Sequence, residues 1–148
     1  VTPSPVCFHF PALPSQLAQY SAEVEQALPE HLRGDAARVG LSEAIANAIL
    51  HGALGIRSHA RDEGNIDAFL DEIVRVEEAI GASRSVTVEV TAVGDDAEIV
   101  VTDPGEGFDW RTPHCGAGCG LQVMRDVFSE VSWNEAGNQV RMLLRAGR

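Results

Sequence analysis

The sequence contains no lysine: all eleven of its basic residues are arginine. That absence excludes P-loop chemistry, Schiff-base chemistry and phosphate grips led by a lysine. Cysteine is scarce as well. Cys7, Cys115 and Cys119 are odd in number and too few for a disulfide framework. His114, Cys115 and Cys119 lie close together, but three ligands at this spacing are not a zinc signature. No apolar run approaches the ~20 residues of a membrane-spanning helix. The opening Val-Thr-Pro-Ser-Pro has neither the basic nor the apolar region of a secretory signal. A cytoplasmic location is the expectation. The chain does not begin with Met, which fits a domain excised from a longer, multidomain protein. Positive charge is thin too: 11 basic against 22 acidic residues give a net charge of −11. That balance argues against a nucleic-acid surface or an anionic membrane, since both need clustered cations.

What remains is ordinary globular material, 148 residues with 45% hydrophobic and 22% charged. The length fits one domain, which buries roughly 70% of its unfolded surface and needs no staple. Val6 to Phe10 reads as a short strand. Ser15 stands where an N-cap belongs, and Leu17, Tyr20, Val24 and Leu28 follow at helical spacing up to Pro29. A second helix is expected from Asp35 to His51, with Gly52 as its stop and Leu41, Ala44, Ile45, Ala48 and Ile49 as its apolar stripe. Residues 52–60 read as a loop. A third helix, Asn65 to Ile80, carries Ile66, Phe69, Leu70, Ile73, Val76 and Ile80 on one side and acids on the other.

From Ser85 the period changes from 3.6 to 2. Val86, Val88 and Val90 alternate with polar residues, and Gly94-Asp95-Asp96 turns the chain into a strand over 98–102. Residues 121–128 are helical in pattern. Two strands around the Glu135 to Asn138 turn end the chain, with Trp133 read as sheet core. Helices come mostly first and strands mostly last. The expected fold is a two-layer α/β sandwich, its mixed and mostly antiparallel sheet covered by helices on one face.

Three pieces carry chemistry. Glu43, Asn47 and His51 stand four apart, and each step of four rotates a helix only ~40°, so they form one polar ridge. Such a ridge suits a hydrated Mg²⁺ held by the Asn oxygen, with Glu orienting or deprotonating a nucleophile. A solvated polar face explains it equally well. Asp103-Pro104-Gly105-Glu106-Gly107 follows a strand, so its Asp is placed to accept from an exocyclic amine. Asp-Pro-Gly is also strongly turn-forming. Gly116-Ala117-Gly118-Cys119-Gly120 then runs into a helix at Leu121, leaving backbone N–H groups for phosphate. A plain loop before a helix accounts for that segment taken alone.

In this order the three pieces resemble the GHKL (Bergerat-fold) ATPase superfamily, with the nearest likeness to its anti-sigma-factor serine kinase branch. Leu41 to Gly52 matches the N box, Val101 to Asp109 the first glycine box, and Gly118 to Arg125 the second. The resemblance covers roughly residues 10–145. It implies that Asn47 holds Mg²⁺, that Glu43 acts as base or orients the attacking hydroxyl or water, and that His51 lies near the phosphates. It further implies that Asp103 takes the adenine amine, that Gly105 and Gly107 shape the base pocket, and that Gly116, Gly118, Gly120 and Leu121 line the phosphates. ATP or ADP with Mg²⁺ would be the cofactors. The activity implied is transfer of the γ-phosphate to a serine of an antagonist, anti-anti-sigma-like protein, with a sigma factor as a second partner and a homodimer as the assembly.

Two departures stand against the pattern. Only the eight residues from Phe108 to Cys115 separate the first glycine box from Gly116, which is short for an ATP lid. The 34 residues from Gly52 to Ser85 exceed the usual spacing and hold the extra acidic helix. A non-catalytic nucleotide-sensing interaction module is therefore a second reading, and the ATPase domain of a histidine kinase a third. An α/β domain that binds no nucleotide is the plainest alternative. Trp110 could cover the nucleotide or pack the base of the lid, and Arg111 or Arg125 could help to neutralise phosphate.

Overall fold

In the computed structural model of the chain, residues 4–56, 64–108 and 120–147 are described. The elements follow the order β1 (Val6–Pro11), α1 (Leu17–Ala27), α2 (Asp35–Asn47), a π turn (Ala48–Ala53), α3 (Ile66–Ile80), β2 (Ser85–Val93), β3 (Asp96–Thr102), α4 (Gly120–Val127), β4 (Glu130–Trp133) and β5 (Gln139–Leu144). The five strands form one sheet in the order β1-β2-β3-β5-β4, and the four pairings described are antiparallel. The expected two-layer sandwich is what the chain forms.

Period 2 sets the inner face of the sheet. Val88 pairs with Val101, Val90 with Ile99, and Ile99 in turn with Met142, so one face is a continuous apolar surface. Leu41, Ala44, Ile45, Ala48 and Ile49 press onto that surface from α2 and its π turn, with Val24 of α1 and Met124 of α4 beside them. Trp133 is less interior than its sequence suggests. It lies half-buried at the β4 edge, with Phe108 edge-on at 5.8 Å and the Arg125 guanidinium 5.7 Å from its ring centre.

The start of α1 differs from expectation. Ser15 sits inside a 3₁₀ turn (Pro14–Gln16), and its N–H donates to Glu77 Oε1 at 2.8 Å, tying this corner to α3. It caps no helix, because Pro14 starts the turn one residue earlier. The end of α2 differs too. Helical winding continues past His51 and through Gly52, widened to a π turn in which Leu54 N–H donates to Ile49 O at 2.9 Å.

Two polar devices fix the helices. Ser42 Oγ donates to Ser21 Oγ at 2.9 Å, joining α2 to α1. Glu25 on α1 is a buried carboxylate that accepts from Gly34 N–H at 2.9 Å and Arg38 Nε at 2.9 Å, at the start of α2. Burial alone would raise its pKa, but the bonds from Arg38 and Gly34 outweigh burial and hold it below the ordinary glutamate value. A lowered folded-state pKa contributes stability that is present above the unfolded value and is lost as pH falls through the folded one. Glu25→Ala is expected to cost about 1–2 kcal/mol at neutral pH, the usual scale for a lost helix cap or charge-assisted bond. In denaturant titrations the gap between wild type and variant should narrow below pH 4. A gap independent of pH would show that the carboxylate charge contributes nothing.

Candidate functional site

The site begins with a close approach between two helices. Gly40 on α2 lies so near α4 that a Cβ there would stand 2.7 Å from Val127 Cγ1 and 2.8 Å from Phe128. The helices run antiparallel from that point, so the first residue of α4 reaches the polar ridge of α2. A Cβ on Gly120 would stand 2.6 Å from Glu43 Oε2 and 3.5 Å from Asn47 Nδ2. A side chain there would have to push the Glu43 carboxylate aside. Asn47 Nδ2 donates to Met124 Sδ at 3.7 Å, a weak bond that orients the amide, and among the described residues its Oδ1 takes no hydrogen bond. That oxygen suits a hard cation, and the N-terminus of α4 beside it suits an anion. Glu43 and Asn47 are half-buried.

The second half lies where the π turn meets the end of β3. A methyl group on Gly52 would overlap the Asp103 carboxyl group, and one on Gly105 would overlap the carbonyl of Gly52. The Asp103 side chain is thus laid against bare backbone. Its Oδ1 accepts from Gly105 N–H at 2.8 Å. Burial raises the Asp103 pKa above the ordinary value, and the Gly105 bond offsets part of that rise. A half-buried carboxylate with one oxygen already held favours a ligand that brings an N–H donor to the other. An adenine amine fits that demand.

The β4–β5 turn closes the far side. Asn134 Oδ1 accepts from the N–H groups of Gly137 and Asn138 at 2.8 Å and 3.1 Å. Asn138 holds the glycine segment, accepting from Asp103 N–H at 2.9 Å and donating from Nδ2 to Gly105 O at 3.1 Å. Gly107, at φ +89°, presses on Ala136 so tightly that a side chain would strike the Ala136 carbonyl. Met124, Asn134 and Asn138 also contact the candidate site. From the sequence, Met124 falls in the second glycine box and Asn138 in the last turn, neither with a role, and Asn134 is not named. The Asn-x-x-Gly-Asn spacing of the turn is the signal that could have found the two asparagines.

Of the residues expected from sequence, Glu43, Asn47 and Gly120 meet in one cluster. Asp103, Gly105 and Gly107 form a second, which joins the first along α2 through Gly52. Leu121 follows Gly120, half-buried in the first turn of α4. His51 is exposed, and its Nδ1 bonds the carbonyl of Ile56. Gly116, Gly118, Trp110, Arg111, His114, Cys115 and Cys119 lie outside the described residues. Among the described residues no cluster of His, Cys, Asp and Glu could hold a metal ion by itself. No described helix is long and apolar enough to cross a membrane.

A helix carrying a carboxylate and a carboxamide thus stands against a strand-end aspartate and a glycine-led helix entrance. The chain matches the family of the histidine kinase-like ATPase domain over residues 10–144, and it belongs to that family. It is thus an ATPase-type domain of the GHKL superfamily. A comparison with curated proteins returns no match.

The packing gives two expectations. Gly52→Ala should displace the Asp103 carboxyl group and weaken adenine-nucleotide binding at least tenfold, read by calorimetry. Gly55→Ala, at φ +67° with open space around it, should cost about 1 kcal/mol of stability and leave binding intact. Asp103→Asn tests the raised pKa. A raised carboxyl contributes stability below its unfolded value and loses it as pH rises through the folded value. The variant should therefore be at least as stable as wild type at pH 7 while binding nucleotide worse. A variant less stable at pH 7 than at pH 4, relative to wild type, would contradict this account.

Proposed function

We propose that the chain binds Mg-ATP between α2, α4 and the end of β3, and passes the γ-phosphate to a serine hydroxyl of a partner protein, in the manner of an anti-sigma-factor kinase. The observation that carries this reading is the meeting of Glu43, Asn47 and Gly120 at the N-terminus of α4. Asn47 Oδ1 would hold the magnesium ion, which when bound neutralises phosphate charge and orients the polyphosphate. The backbone N–H groups at the start of α4, from Gly120 and Leu121, would face the phosphates with the helix dipole behind them. The Glu43 carboxylate lies within reach of that position and would accept or orient the proton of the attacking hydroxyl. Asp103 would select adenine through the amine, with Gly105 and Gly107 allowing the flat base close to the backbone. His51, tied to Ile56 at the rim, would stand beside the phosphates.

The lysine-free composition favours a second reading, a nucleotide-sensing module whose bound state is recognised by a partner, as in the ATPase domain of a signalling kinase. The partner for the first reading is an anti-anti-sigma-like antagonist, with a sigma factor as the protein released or held.

Calorimetric titration of Mg-ADP tests the site. Wild type is expected to bind in the micromolar range and Asn47→Ala at least tenfold more weakly; equal affinity would remove Asn47 from the metal site. Loss of γ-labelled phosphate from ATP tests the chemistry. Glu43→Gln should keep ADP affinity within a few-fold and lower turnover by about 10²-fold or more. Tight binding with no turnover in wild type would leave the sensing module as the function.

A further inference from the structure

Helix α3 carries more apolar surface than the domain covers. It holds Ile66, Phe69, Leu70, Ile73, Val74, Val76 and Ile80, yet Phe69 is its one fully buried residue. Ile73, Val76 and Ile80 pack partly against the core. Ile66, Leu70 and Val74 are left 48%, 52% and 56% exposed. They stand four apart and form one stripe along the outer side of the helix. Scattered exposed apolar residues need no explanation, but a stripe spanning two turns marks a contact surface.

The border of the stripe identifies what fits it. At about 100° per residue, Asp67, Asp71 and Glu78 fall roughly 60–100° around the helix from Leu70, all on the same side. All three are exposed. Arg75, the one cation of the helix, lies on the far side of that row from the stripe, about 140° from Leu70 and about 40° beyond Asp71. A two-fold-related copy of the chain would set this acidic row against itself, in a molecule of net charge −11. An anionic membrane is disfavoured for the same reason.

We propose that this face of α3 docks a basic amphipathic helix of a partner protein, its leucine-type anchors on Ile66, Leu70 and Val74 and its Arg or Lys residues along Asp67, Asp71 and Glu78. Helix-in-groove recognition of this kind reads anchors at i, i+4 and i+8. The surface is separate from the nucleotide site, and its test uses no nucleotide.

The probe is a labelled helical peptide of about 16 residues, with leucines at i, i+4 and i+8 and arginines flanking them, titrated with the whole chain and followed by fluorescence anisotropy. Saturable binding is expected, weakening as salt rises. The double variant Leu70→Ser, Val74→Ser should bind about tenfold or more weakly. Asp67→Asn with Asp71→Asn should bind more weakly and lose much of the salt dependence. All four positions are exposed, and unchanged circular dichroism checks that the variants fold. Three results would overturn the proposal. One is a peptide with glutamate in place of arginine binding equally well. Another is binding indifferent to Leu70 and Val74. The third is concentration-dependent dimerisation of wild type, seen by sedimentation and abolished by Leu70→Ser, which would make a second copy the occupant.

Discussion

Leu41, Ile45 and Ile49 are fully buried against the sheet, and their burial fixes the rotation of α2 about its own axis. A helix cannot bury one strip without aiming the neighbouring strip, so Glu43 and Asn47 have their direction set by the core. Gly40 then sets the distance. A side chain at that position would collide with Val127 and Phe128 at the end of α4. The chemistry of the site is therefore a by-product of packing: apolar burial supplies the angle, and one missing Cβ supplies the approach. Sites on rigid elements held in this way are more finely positioned than sites on loops.

The Asp103 end of the candidate site is held in the opposite way. Asp103 is held where its charge is poorly solvated, with the backbone of Gly52 pressed against it and a single internal donor from Gly105. Desolvation of this kind destabilises the empty fold and is recovered when a ligand supplies the second donor. Under the proposed function the same carboxylate would select the base without further contacts. A base bringing a carbonyl to the same place would face a carboxylate with acceptor against acceptor, which a half-buried site tolerates badly. The Asn138 bonds to Asp103 N–H and Gly105 O keep the segment from relaxing toward water.

Much of this was legible in the residues, and the gaps have physical causes. Alternation at Val86, Val88 and Val90 gave the strand because one face is buried and the other wet. The stripe of α2 was readable for the same reason. The π turn was not, because a one-residue widening leaves the apolar spacing intact up to Ile49 and alters only the backbone after it. Ser15 was misread because N-cap preference is local, whereas Pro14 and the distant Glu77 decide its conformation. Nothing in the local pattern marks Glu25 for burial, since its partners Gly34 and Arg38 lie beyond a break in that pattern. The motif pointed to Glu43, Asn47, Asp103, Gly105, Gly107 and Gly120, and the fold brings Glu43 and Asn47 to Gly120 and sets Asp103 beside Gly105. The asparagines of the last turn were given no role because turn residues look alike until their partners are known.

The two surfaces of the chain are linked by a short run of contacts. Ser15 N–H bonds Glu77 on α3, and Gly81, just past α3, fits against the carbonyl of Ala12. Arg84 then donates from Nη1 to the carbonyl of Ala53 at 3.0 Å, the last residue of the π turn. The adjacent residue of the same turn, Gly52, is the one pressed on Asp103. Contiguity alone does not make two sites communicate. A nucleotide alters the affinity of α3 for a partner only if the π turn has two arrangements that the nucleotide and the partner stabilise differently. A π turn and an α turn differ by one residue of register, so that turn is where two such arrangements would differ. A shift of that kind would move Gly52 relative to Asp103 and Ala53 relative to Arg84 in one step, because both contacts hang on the same six residues.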